Sequence, residues 1–313
     1  MFRNQAHSKR PSVGPGTADA IDALLDAMKA EGIETDEPHK IAANTGKKYC
    51  RFHVIGDKKG SRNGLARLYV DQYGARGSFG SNKTGVIRMW HMDDDVQMTP
   101  AERRERMEAI ERQKRQHEKE LQRQQALAAK RAERIWKEAK PCTAHPYLAR
   151  KKVGAHGLRL WRDALVIPAR DVTGKLWTLE FVRADGSKKF LSDGRKMGCY
   201  YSIGRLESHT GTILVCEGFA TGATLHEVKR KPVAVAFDAG NLQMVAEALH
   251  KKYPGARIVI CADNDAQDPK NPGVTKGKAA AEAIGATAVI PADGYNDFND
   301  MAVAGVPVRG VPA

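Results

Sequence analysis

The chain has 313 residues, with 51 Lys and Arg against 37 Asp and Glu, and a formal net charge of +14. That length suits about two domains. The basic excess points to a polyanionic partner such as nucleic acid, with a merely basic soluble protein as the plainer alternative. The five cysteines show no Cys-x-x-Cys spacing, so no disulfide framework or zinc site is readable. No apolar run approaches the roughly 20 residues of a membrane span and no signal-peptide core opens the chain, so a cytoplasmic protein with no membrane partner is expected.

Residues 1–17 are basic and carry Pro and Gly, which predicts disorder. Thr17 is placed as the cap of a helix over 18–30, with Ile21, Leu24, Leu25 and Met28 on one face and Gly32 as its stop. From 33 to 92 the texture changes to short strands, 48–54, 65–70 and 85–90, with glycines at 56, 60, 64, 74, 77, 80 and 85 read as punctuation. Basic and aromatic residues interleave here: Arg51, Phe52, Lys58, Lys59, Arg62, Tyr69, Arg76, Phe79, Lys83, Arg88 and Trp90. Cations would follow phosphates while rings stack on bases. The competing reading makes the rings the core of a small sheet. Arg51, Lys58, Lys59, Arg62 and Arg88 are the DNA-binding candidates.

Thr99-Pro100-Ala101-Glu102 is a capping box with Pro at the first helical position. The helix that follows, to about 140, is polar and could reach roughly 60 Å at 1.5 Å per residue. Its apolar residues (Met107, Ile110, Leu121, Leu127, Ile135, Trp136) hold no heptad. It reads as a solvated connector supported by ion pairs three and four residues apart; a coiled-coil partner and a nucleic-acid-binding face are the alternatives. Beyond Pro141, residues 145–151 suggest a short helix in which His145 is either an N-cap or a catalytic base. Residues 164–168 and 176–182 form a hairpin around a turn at 171–174. Then come Lys189-Phe-Leu191 and a strand over 198–203.

The last third alternates strand and helix. Strands are expected at 212–216, 232–237, 258–261 and 287–290, and helices at 220–230, 242–253 and 275–284, which together give a parallel sheet with helices on its faces. Thr212-Ile-Leu-Val-Cys-Glu217-Gly218 and Ile258-Val-Ile-Cys-Ala-Asp263-Asn-Asp265 share one design, an apolar run that ends in acid. Runs without alternation read as strands buried on both faces, and working groups of such sheets lie just beyond the strands' carboxyl ends. Crowded carboxylates resist ionising unless a cation sits among them, and Mg²⁺ or Mn²⁺ is the natural neutraliser for oxygen ligands. The bland reading of an isolated Asp-x-Asp is a solvated loop; a glutamate ending an earlier strand weighs against it.

Glu-Gly after one strand, Asp-x-Asp after a later one and Tyr295-Asn-Asp297-Phe-Asn-Asp300 after the last resemble the TOPRIM domain. That is the metal-binding module of bacterial-type primases, topoisomerases and some nucleases. Cys216-Glu-Gly-Phe-Ala-Thr-Gly-Ala-Thr224 looks most like plasmid and phage primases. Thr221 stands where chromosomal primases carry a further acid, which bears on how many metals are held. The resemblance implies an α/β TOPRIM (Rossmann-like parallel sheet) C-terminal domain, preceded by an α+β basic primase-core subdomain and a small N-terminal α+β module on a long helix. The expected segments are 1–98, 99–140, 141–208 and 209–313.

By the same resemblance Glu217, Asp263 and Asp265 are catalytic and, with Asp297, hold Mg²⁺ or Mn²⁺. Arg183, Lys188, Lys189, Arg195 and Lys196 face nucleotide and template, with Lys189 matching the family's lysine ahead of an aromatic-Leu pair. The zinc module that many primases carry at the N-terminus lacks its ligands here, so no zinc is expected. The implied activity is a DNA primase making short RNA primers from nucleoside triphosphates on single-stranded DNA, for plasmid, phage or other mobile-element replication. No P-loop is visible, so a replicative helicase would be a separate partner. A TOPRIM nuclease and a decayed nucleic-acid-binding protein remain as alternatives.

Overall fold

The structure is a computed structural model and describes residues 16–46, 49–71, 74–92, 99–206 and 211–312. The basic tail expected to be disordered lies almost wholly outside the described residues. The chain folds as two compact units, Met1–Gln113 and Lys114–Ala313, divided within one long helix. Among the described residues no helix is long and apolar enough to cross a membrane.

In the first unit, helices α1 (Thr17–Ala30) and α2 (Pro38–Ala43) pack on an antiparallel meander. Its strands are β1 (Cys50–Phe52), β2 (Gly64–Asp71), β3 (Gly74–Ser81) and β4 (Val86–His91), in that spatial order. Leu24, Met28, Ile41, Phe52, Leu68 and Phe79 form the core. Phe52 and Phe79 are therefore packing residues and are unavailable for stacking on bases. Thr17 is the first helical residue and Gly16 holds the cap position, without a side-chain cap bond.

Strand β3 and helix α2 escaped the sequence reading. Gly74, Gly77 and Gly80 read as breaks, yet β3 is a central strand of this sheet. Its glycines serve close backbone approach: a Cβ on Gly77 would stand 2.1 Å from the Arg67 carbonyl oxygen, and one on Gly80 2.1 Å from that of Val86.

Helix α3 (Pro100–Glu138) is rich in Ala, Glu, Arg, Lys and Gln, all strong helix formers. Most of it is exposed, but in the second unit its last turns are docked. Ala132, with Ile135 and Trp136, packs against Val166, Leu176 and Leu179. Arg159 lies over the Trp136 ring at 4.5 Å and donates to the Trp136 carbonyl at 2.6 Å. The connector is thus solvated only in part: Met107, Leu121 and Leu127 are exposed, while Ala132, Ile135 and Trp136 dock its C-terminal end.

The second unit holds two five-stranded sheets. The first is antiparallel: β5 (Lys140–Pro141), β6 (Arg159–Trp161), β7 (Ala164–Arg170), β8 (Leu176–Val182) and β9 (Lys188–Phe190), with α4 (Pro146–Lys151) between β5 and β6. His145 caps α4, its Nδ1 accepting from the Tyr147 N–H at 3.3 Å. The second sheet is built from β10 (Tyr201–Ile203), β11 (Thr212–Cys216), α5 (Phe219–Lys229), β12 (Val233–Val235), α6 (Leu242–Lys252), β13 (Arg257–Cys261), α7 (Pro272–Glu282), β14 (Thr287–Val289) and α8 (Phe298–Val303). Its order is β10-β12-β11-β13-β14. All neighbours run parallel except β10, which pairs antiparallel with β12, so the sheet is mixed. Ile213, Val215, Val259 and Ile260 are fully or nearly fully buried, as strands covered on both faces require. Cys216 and Cys261 are buried free thiols within the same layer.

Candidate active site at the carboxyl ends of the parallel strands

Strands β11 and β13 pair in register, Cys216 beside Cys261. Glu217 follows one and Asp263 follows the other after a single alanine, so both acids reach the same sheet edge. Glu217 accepts backbone hydrogen bonds from Asp263 and Ala239. Its Oε1 and the Oδ1 of Asp263 are buried with no hydrogen-bond partner. Burial, opposed by those two backbone bonds and reinforced by Asp265 and Asp238, pushes the Glu217 carboxyl up to about 7. Burial first, then the carboxylates of Glu217, Asp297 and Asp265, push Asp263 up to about 8.

Asp265 and Asp297 stand differently. Asp265 Oδ2 accepts from the Gly273 N–H at 3.0 Å, at the first turn of α7. A Cβ on Gly273 would stand 2.4 Å from the Asp263 carbonyl oxygen, so the helix start approaches this loop closely because position 273 has no side chain. Asn271, in a left-handed conformation at φ +36, accepts from the Asp265 N–H at 3.0 Å and donates to Asn264 Oδ1 at 2.8 Å. Asp297 caps α8, accepting from the Asp300 N–H at 2.8 Å. The fold therefore brings Glu217, Asp265 and Asp297 within electrostatic reach of Asp263, but of the four only Glu217 and Asp263 bury an unpartnered oxygen. Among the described residues no three His, Cys, Asp or Glu side chains are gathered into a ready-made cage.

The orphaned oxygens test the fit of a cation. A buried polar atom without a partner is costly, and two adjacent buried carboxylates cannot both ionise cheaply. Oxygen-only ligands suit a hard divalent ion. The donor set at Glu217 and Asp263, with Asp265 and Asp297 near it, fits such an ion.

The predicted cations divide by strand alternation. In β9, Lys188 and Phe190 share a face, and Phe190 meets the Phe237 ring edge-on at 5.3 Å. Lys188 Nζ lies 3.8 Å from where a Cβ on Gly218 would stand, and its charge acts on Asp263 and Glu180. Lys189 points to the other face, so the nearer lysine is the one ahead of the residue that the family pattern singles out. Lys196 pairs with Asp238 and lies over the Phe190 ring. Arg195 donates to the Met197 carbonyl at 3.1 Å and lies over Trp177 at 4.6 Å. Arg183 is exposed in the β8–β9 turn.

In the first unit Arg51, Lys58, Lys59 and Arg62 are exposed, while Arg88 pairs with Glu31 at 3.1 Å.

Two acids that interact with Lys196 escaped the sequence reading. Asp238 follows β12 by three residues, and its position after an apolar run was a usable signal that passed as a turn. Glu180 is 4% exposed in the middle of β8. Burial pushes its carboxyl up to about 7 against the pull of Lys188 and Lys196; nothing local in the sequence marks it.

Comparison with known proteins gives the relatives of the chain. The family model described as "Toprim domain" matches residues 212–306. Two Escherichia coli proteins, each named DNA primase TraC, are 34% identical over 289 residues and 32% identical over 284, covering 88% and 86% of this chain. The chain spans only 27% and 19% of the length of these relatives. Among solved structures, the primase fragment of the bacteriophage T7 primase-helicase covers 54% of this chain and 72% of its own at 16% identity, with a TM-score of 0.40. Residues 212–306 are a Toprim domain, and the chain that carries them is a relative of the TraC primases.

Proposed function

We propose that this chain is a primase catalytic segment, which joins nucleoside triphosphates into a short RNA on a single-stranded DNA template for plasmid, phage or other mobile-element replication. The observation that carries the reading is the pair of orphaned buried oxygens on Glu217 and Asp263, beside Lys188, at the carboxyl ends of parallel strands. Similarity to the TraC chains supports it.

Glu217 and Asp263, with Asp265 and Asp297, are the proposed ligands of Mg²⁺ or Mn²⁺. When bound, such an ion supplies charge neutralisation at a triphosphate and orientation of an in-line attack. Lys188 balances phosphate charge from the β9 side, with Lys189, Arg183 and Arg195 as outlying contacts. Lys196, paired with Asp238, steadies the loop that leads into β10. The alternative role for Glu217, in place of coordinating the ion, is to take up the proton released by the attacking hydroxyl, for which a carboxyl raised to about 7 is suited.

In the proposed division of labour, residues 1–98 bind template through Arg51, Lys58, Lys59, Arg62 and Arg88. Residues 99–140 connect, 141–208 complete the nucleotide side, and 209–313 hold the metal. No zinc is part of the reading. A replicative helicase would act as a separate partner.

The test is ribonucleotide incorporation on single-stranded DNA with Mg²⁺ or Mn²⁺, analysed for product length, beside a nuclease assay. Short RNA products that vanish in Asp263→Asn are expected. Cleavage without incorporation would replace the reading by a Toprim nuclease.

A further inference from the structure

A second candidate ligand site lies away from the acid edge. In the second unit, the Arg170 N–H donates to the Tyr200 carbonyl at 3.0 Å and the Tyr200 N–H to the Arg170 carbonyl at 2.8 Å, stitching the end of β7 to the chain entering β10. Beside this seam the turn at 171–174, strand β10 with its exit, and the end of α6 enclose a recess of about 360 Å³. That volume lies in the range of small-molecule pockets.

Its lining is cationic and aromatic. Arg170, Arg205 and Lys252 line it with Tyr200 and Tyr253, and among the described residues its one lining acid is Asp171. Asp171 is committed elsewhere: Oδ1 accepts from the Thr173 N–H at 2.9 Å and the Thr173 hydroxyl at 2.6 Å, and Oδ2 accepts from the Trp177 indole at 2.6 Å. Among the described residues no carboxylate forms an ion pair with any of the three cations.

Two of those cations are held in place by the turn. Arg170 Nη1 donates to the Gly174 carbonyl at 3.0 Å, and the Lys252 ammonium donates to the Val172 carbonyl. Burial weakens the Arg170 cation, which feels Glu133 only at a distance. A half-buried guanidinium without a contacting counter-ion is an unmet demand for an anion, and Arg suits phosphate through its planar fork. Tyr200 and Tyr253 are 7% and 9% exposed and belong to the core behind the recess, with the Lys252 ammonium over the Tyr253 ring at 5.3 Å, so the cations and not the rings are what the recess presents.

We propose that this recess is an accessory site for a mononucleotide, recognised through its phosphates by Arg170, Arg205 and Lys252. A volume of about 360 Å³ has room for one nucleotide. The site takes its ligand without the metal at the acid edge.

The test is calorimetric titration of ATP into the full chain in EDTA, which silences metal-dependent binding at the acids, with adenosine and a single-stranded oligonucleotide as parallel probes. Binding of ATP but not adenosine is expected. Arg205→Ala with Lys252→Ala should weaken it at least tenfold, and Asp263→Asn should leave it unchanged. Arg205 and Lys252 are exposed, so the double variant should keep its melting temperature. Arg170→Lys, which retains charge but loses the fork, should weaken it less.

Absence of ATP binding, indifference to the double variant, or loss in Asp263→Asn would each overturn the site. So would equal binding of adenosine, or displacement of ATP only by the oligonucleotide. None of these results depends on primer synthesis, so the site and the primase reading fail independently.

Discussion

Glu217 and Asp263 stand side by side after strands paired Cys216 to Cys261, and each buries one carboxylate oxygen that no donor reaches. Two like charges in a partly desolvated corner form a poor arrangement for an empty protein and a good one for a cation site. Asp263→Asn keeps the size and removes the charge. Nucleotide incorporation should fall by about 10²–10³, the usual loss on deleting one transition-state charge stabiliser. The metal-free melting temperature should hold or rise. Near-normal incorporation by this variant would refute the site.

Added Mg²⁺ or Mn²⁺ should raise the melting temperature of the unaltered chain in a concentration-dependent way, because an ion bound only by the folded state stabilises it by mass action. The shift should shrink in Asp263→Asn and in Glu217→Gln. Raised Mn²⁺ should partly restore incorporation by Glu217→Gln if Glu217 is a ligand. If it serves instead as the proton acceptor, no concentration of metal will do so. A melting curve indifferent to both metals would argue against these ligands.

Lys188 and Lys189 are neighbours on opposite faces of β9, and only Lys188 reaches toward Gly218 and Asp263. Lys188→Ala should raise the KM for nucleoside triphosphate about tenfold or more, the size expected for a lost hydrogen bond to a charged group. Lys189→Ala should do markedly less. Steady-state kinetics of the two variants decides, and the reverse ranking would reassign the phosphate contact to Lys189.

Glu180 supplies a pH prediction away from the ligands. Burial raises its carboxyl from 4.5 to about 7 in the folded chain, although Lys188 and Lys196 pull it down and Asp238 pushes it up. A raised folded value means that its contribution to stability is fully present below about pH 4.5 and is lost as pH rises through about 7. Glu180→Gln should therefore flatten part of the decline in melting temperature between those values. Parallel pH profiles of the two proteins would show it; superimposable profiles would count against a buried, proton-binding Glu180.

Template binding should weaken steeply with salt. Alanine at Arg51, Lys58, Lys59 and Arg62, all exposed, should lower affinity for single-stranded DNA. Each lost phosphate contact should reduce the log–log salt slope by about 0.7. Arg88→Ala should matter less, because Arg88 already pairs with Glu31. Fluorescence anisotropy across a salt series measures both; an unchanged slope in the fourfold variant would move template binding elsewhere.

The acid edge was legible in the sequence because buried parallel strands are nearly continuous apolar runs, and an acid that ends such a run has only the sheet edge to occupy. Glu217, Asp263 and Asp265 could be placed that way, as could the helices between them. What the sequence left open depends on partners remote in the chain. Whether an acid keeps a bare oxygen or caps a helix depends on the approach of α7 and α8, which is why Asp265 and Asp297 differ from Glu217 and Asp263. Which of two adjacent lysines faces the site depends on the register of a three-residue strand. Strand β3 was hidden because glycine, a local break signal, was here serving a close approach of backbones. Glu180 and the recess beside Arg170 gain their character from burial and from distant neighbours, and only tertiary packing brings those together.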